Sequence, residues 1–141
     1  MAINLNGRAI LSGIGLYVLL YFLHIGALPW LVGEKAAGSD EQVVLYFVSQ
    51  GLGILTCLAP GYLAAKIAGH HGFVHGGLVG GISTVITALI AMVFAIVAGS
   101  QFVGFGSMPF WVVVNGFLGA FAGIMASDLT DDETEDASAK E

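Results

Sequence analysis

Between Lys66 and Asp128 the chain carries no Asp, Glu, Lys or Arg. An ion-free run of about 60 residues is foreign to soluble domains, in which about 25% of residues are charged. Two shorter ion-free runs precede it, from Ala9 to Gly33 and from Gln42 to Ala65. The whole chain is 57% hydrophobic and only 10% charged. These are the marks of a membrane protein.

A helix crosses a bilayer in about 20 apolar residues, so the long run has to be divided. Gly99–Pro109, reading GSQFVGFGSMP, breaks it with Gly, Ser and Pro, which signal a loop. Four spans follow, at 9–32, 43–68, 73–98 and 108–126. The expected fold is all-α: an integral membrane four-helix bundle in one domain, residues 1–127, with a tight Gly-rich hairpin between spans two and three. The remainder, 128–141, reads DLTDDETEDASAKE. It is acidic, lacks apolar periodicity and is expected to be a disordered tail. Most of the acid sits there, so the net charge of −6 describes a tail, and no basic cluster suits nucleic acid. Arg8 followed by an apolar run also resembles a secretory signal. That run exceeds the 7–15 or so apolar residues of a signal, so it is read as the first span.

Lys and Arg near span ends set orientation. With the N-terminus inside, Arg8 and Lys66 are cytoplasmic and only Lys35 is outside. Trp30 and Trp111 then both sit at the outer interface, where amphipathic rings settle. Both termini are expected in the cytoplasm of a cell that carries the protein in its plasma (inner) membrane. Gly69 suits a left-handed helix stop, and Lys66 suits the last turn of span two. Pro60 inside span two is expected to free the Thr56 carbonyl and kink the helix.

Small residues recur at every fourth position. Span two carries Ser49, Gly53, Cys57, Gly61, Ala65 and Gly69; span three carries Gly72, Gly76, Gly80, Thr84 and Ala88; span four carries Asn115, Gly119, Gly123 and Ser127. Apolar side chains gain little by meeting in lipid, so helices associate through close backbone approach and interhelical hydrogen bonds. Four residues advance about 40° beyond a full turn, so each ladder wraps its helix. The surplus of small residues leaves room for association with copies of the chain or with a larger membrane partner.

Two polar sets stand out. His24, Gln50 and Asn115 each fall about eight residues from the outer end of their span, which at 1.5 Å per residue places them about 12 Å deep in one layer. Tyr17, Tyr21 and His24 share a face of span one. Intramembrane polar groups face the bundle interior and either bond helices together or mark a pathway. The hairpin holds His70, His71 and His75. His71 and His75 lie four apart, on one face of a helix. A zinc site needs three or four protein ligands, and no Cys or acid is nearby, so a titratable turn is favoured over a metal site. Cys57 reads as a ladder rung, with no base beside it for nucleophilic catalysis. No phosphate loop, carboxylate pair or triad spacing is present. No enzyme activity and no cofactor are expected.

Gly61-Tyr62-Leu-Ala-Ala-Lys66-x-Ala-Gly69 followed by Gly72-x-x-His75-Gly76-x-x-x-Gly80 resembles the hairpin of small four-span prokaryotic membrane proteins of uncharacterised function. The resemblance covers about twenty residues and implies the four-span architecture; it implies no catalytic role. The leading functional expectation is a structural or accessory subunit acting through helix association. A small channel or transporter using His24, Gln50 and Asn115 is the alternative. A metal- or pH-responsive protein acting through the hairpin histidines is a third.

Overall fold

The computed structural model describes residues 4–27, 40–100 and 106–138, with the backbone alone for 26, 27, 41, 42 and 128–138. Four long helices, α1 (Gly7–Phe22), α2 (Asp40–Ala68), α3 (Gly72–Val97) and α4 (Met108–Ser138), account for most of it. A π-helical turn, Leu23–Ala27, continues α1. Among the described residues, four segments are long and apolar enough to cross a membrane: Gly7–Ile25, Val43–Ala68, Gly72–Val97 and Met108–Ser127. The expected spans two to four match these within a residue or so. Trp30, Lys35 and the end of span one lie outside the described residues.

Local chemistry explains the ends. The Asn6 side chain caps α1 by accepting from the Ala9 amide at 3.2 Å, which satisfies an orphan donor of the first turn. Gly69 has φ 68°, the left-handed stop read from the sequence. At the far end of α3, Ser100 N–H donates to Ala95 O and Gly99 N–H to Ile96 O, with Gly99 at φ 66°. This is a complete Schellman stop. α2 is assigned as one helix through Pro60.

One expectation fails. The disordered tail from Asp128 is not found, because α4 stays helical to Ser138. Extending a formed helix requires no new nucleus, and Glu133, Glu135 and Ala137 are good helix formers.

Polarity is partitioned the opposite way to that of a water-soluble bundle. The buried apolar residues are mostly small: Ala9, Ala64, Ala65, Ala68, Ala120, Ala122 and Ala126. Thr56, His75, Ser83, Thr84, Thr87 and Asn115 are buried with them. Leu, Ile, Val and Phe side chains point outward along all four helices. In water each exposed one would forfeit about 1.5–3 kcal/mol of burial. Facing acyl chains, it forfeits nothing.

Small size inside lets backbones touch. α3 and α4 make the most extensive interface. They run antiparallel, and their ladders mesh rung by rung: Gly80 on Asn115, Gly76 on Gly119, Gly72 on Gly123. A Cβ added at Gly72, Gly76 or Gly80 would collide with the backbone carbonyl of its partner. Gly61 of α2 meets Gly119 too, where an added Cβ would lie 2.7 Å from its Cα. The α2 ladder wraps as its spacing requires: Ser49 and Gly53 face His24 in the π turn that continues α1, whereas Cys57 and Gly61 face α4. Gly69 takes no part in packing, since an added Cβ there meets nothing within 4 Å. Its place in the ladder comes from the spacing alone; its role is the turn.

α1 packs on α2 and α3 and has no close backbone approach to α4. The cross-section is therefore a rhombus, with α1 and α4 at its far corners. Ser83 of α3 is fully buried, and its hydroxyl has no hydrogen-bond partner among the described residues. An unpaired buried hydroxyl costs about 1 kcal/mol or more. Ser83→Ala is therefore expected to stabilise the bundle by that order, seen as a higher unfolding midpoint in mild detergent.

Candidate functional site

Side chains bridge the rhombus at one point. Asn115 of α4 donates from Nδ2 to Thr84 Oγ1 of α3 at 2.9 Å and to Tyr17 Oη of α1 at 3.2 Å. The Cys57 thiol of α2 donates to Asn115 Oδ1 at 3.3 Å. One amide thus ties all four helices. Its orientation is fixed by Thr84, whose hydroxyl proton goes to Gly80 O at 2.8 Å. Thr84 can then offer Asn115 only a lone pair, so the amide nitrogen must face it.

This knot floors a cavity of about 530 Å³, within the range of about 300–1,000 Å³ common for small-molecule sites. Tyr17, Thr56, Thr84, Thr87 and Asn115 are buried at the inner end. Gln50, Ser107 and Trp111 are exposed lining residues, and among the described residues they mark a mouth toward the end of the bundle away from the α2–α3 turn. Beyond the floor the bundle is shut by the glycine zipper. Thr56, Thr84 and Thr87 give their protons to carbonyls one turn back in their own helices, at 2.7, 2.8 and 2.9 Å. The walls therefore present hydroxyl lone pairs. Among the described residues, no Asp, Glu, Lys or Arg lines the cavity.

His24, Gln50 and Asn115 all line this one cavity, and so do Tyr17 and Tyr21, whose rings stack at 6.4 Å. They do not form one tier. His24 Nε2 lies 3.0 Å from the Ser49 hydroxyl, whereas Asn115 is level with Cys57, eight residues or about 12 Å further along α2. α2 starts at Asp40 and reaches Cys57 just past its middle, but α4 starts at Met108, shortly before Asn115. Counting from the span ends assumed level ends, and these are staggered. The π turn at Leu23–Ala27 carries His24; such turns re-aim side chains and recur at functional sites.

The hairpin histidines form a second polar centre at the opposite end. The His70 ring lies 5.3 Å from His71 and 5.5 Å from His75, centre to centre. Their nitrogens serve the main chain. His75, fully buried, accepts from the Asn6 N–H at 3.0 Å through Nε2, and its Nδ1 lies 3.1 Å from His71 O. His70 Nδ1 lies 2.7 Å from Ala68 O, and its Nε2 lies 3.0 Å from Asn4 O. Two of the three imidazoles therefore have no lone pair free to converge on an ion. His71 takes φ 49° as the N-cap residue of α3, with no side-chain cap bond. The sequence placed these rings together but gave no sign that they hold the start of α1.

No protein-family model matches the chain, and no curated protein or solved structure shows significant similarity to it.

Proposed function

We propose that the chain is a small plasma-membrane transporter or ligand carrier that admits an uncharged molecule to the cavity above Asn115. The supporting observation is the cavity itself, held by all four helices, rich in hydroxyl, amide and aromatic groups and, among the described residues, lined by no ionic side chain. Burying a bare ionic solute there costs several kcal/mol with no countercharge to offset it, whereas a neutral molecule finds donors and acceptors. Tyr17, Tyr21 and Trp111 offer flat faces. With both termini cytoplasmic, as Arg8 and Lys66 favour, the mouth faces the outside. Release to the other side requires the glycine-packed half to open, so this form is closed inward.

A purified sample in liposomes tests the reading. Vesicle swelling in glycerol or urea gradients should exceed that of protein-free vesicles. His24→Leu should return it to the protein-free rate while the unfolding midpoint holds. Conduction of sodium or chloride in place of neutral solutes, or neutral flux indifferent to His24→Leu, would overturn it.

The accessory-subunit reading keeps one specific support. Gly77, Gly116 and Ala120 floor an outward groove between α3 and α4, with Phe73, Val113 and Phe117 exposed along it. These are small residues that the internal zipper leaves over, and they suit a neighbouring transmembrane helix. A crosslinked partner in native membranes, together with no flux, would favour it.

A further inference from the structure

We propose that His70 and His75 form a proton-controlled latch that holds the start of α1 on the α2–α3 turn. It is closed when His70 is the imidazolium and His75 is neutral.

The hydrogen bonds require this division. Asn6 N–H points at His75 Nε2, so that nitrogen must carry a lone pair. Its Nδ1 then carries the proton and donates to His71 O. Both nitrogens of His70 face carbonyl oxygens, Ala68 O and Asn4 O. Neutral imidazole has one N–H, so only the doubly protonated ring makes both bonds.

The two rings differ in their surroundings. His70 follows the last turn of α2 and is exposed to solvent, whereas His75 lies in the first turn of α3 and is fully buried.

Among the described side chains, the electrostatic neighbourhood contains no anion to offset a second positive ring. α1 contributes exposed Arg8, and α2 contributes exposed Lys66, 6.0 Å from the Tyr62 ring centre. The turn contributes His71. From α4, Ser127 Oγ sits against Gly72; the described side chains at this end include no carboxylate.

The latch therefore has two ways to open. A proton added to His75 Nε2 removes the acceptor of Asn6 N–H and sets two donors face to face. A proton lost from His70 leaves one carbonyl, Asn4 O or Ala68 O, without its donor. Asn6 is also the cap of α1, so opening on the acid side detaches the residue that starts the helix. Docking should peak at intermediate pH and fall on both sides. The inference is independent of the cavity reading.

Nitrogen-15 spectra of histidine-labelled protein in lipid nanodiscs provide the test, with hydrogen exchange at the Asn6 amide corrected for intrinsic rate. At the pH where the Asn6 amide is most protected, His75 should show an Nδ1–H tautomer and His70 two N–H groups. Asn6 protection should fall about tenfold or more as pH drops through the imidazole range. His75→Gln, whose side-chain oxygen accepts without titrating, should retain protection in acid. His70→Arg should abolish the alkaline loss. An Nε2–H tautomer at His75, a neutral His70 where Asn6 is most protected, or acid loss unchanged in His75→Gln would each overturn the proposal.

Discussion

Gly76→Ala is expected to cost the bundle about 3 kcal/mol or more, enough to abolish a stable fold in mild detergent. The added methyl would drive into the Gly119 carbonyl, and Gly119 is equally closed against Gly76. Neither wall can yield as a side chain would, because both are helical backbone. The zipper has two more such contacts, one on either side, at Gly80–Asn115 and Gly72–Gly123, so relief by sliding one helix would disrupt its neighbours. Gly15→Ala and Gly51→Ala are the internal controls. A Cβ at either position meets nothing within 4 Å, and alanine is the better helix former by about 1 kcal/mol. Both should unfold at or above the parent midpoint. An unfolding series in which Gly76→Ala matches these controls would mean that the helices do not meet backbone to backbone.

Asn115→Leu should have the second largest effect. It removes three interhelical hydrogen bonds at about 0.6 kcal/mol each, so about 2 kcal/mol in all. It also replaces the polar floor of the cavity with a branched apolar group, so neutral-solute flux should vanish with it. Double-mutant cycles locate the loss. Asn115→Leu and Thr84→Val should couple by about 0.6–1.7 kcal/mol. Asn115→Leu and Thr87→Val should be additive, because Thr87 donates only within α3. Equal coupling in both cycles would place Asn115 outside the arrangement described.

The sequence was most informative where one helix can be read alone. Ion-free runs located spans two to four, because charge is excluded from the bilayer interior whatever the tertiary fold. Gly69 was legible as a stop for the same local reason. Ladder spacing even carried the wrapping of α2, since rise and turn are fixed by the helix itself. Depth between helices was not legible: the stagger that levels Asn115 with Cys57 depends on how α2 and α4 dock. Cys57 was read only as a small rung, yet it also donates to Asn115. Thr84 was likewise read as a rung, although it is the lone pair that orients the amide. His75 was hardest of all. Its partner, the Asn6 amide, is a main-chain group, and no pattern of side chains announces it. The acidic segment failed for a different reason: composition predicts whether a segment folds alone, and this one grows from a helix already formed.

With bulky apolar side chains turned outward and small ones within, separating these helices inside a bilayer brings little new greasy surface into contact with water. The heat-capacity increment of unfolding, which scales with such hydration, should therefore be small. The stability curve would be nearly straight, with cold denaturation pushed out of reach. Warming would loosen this bundle steadily, and the thickness and order of the surrounding lipid would do as much as temperature to set its strength.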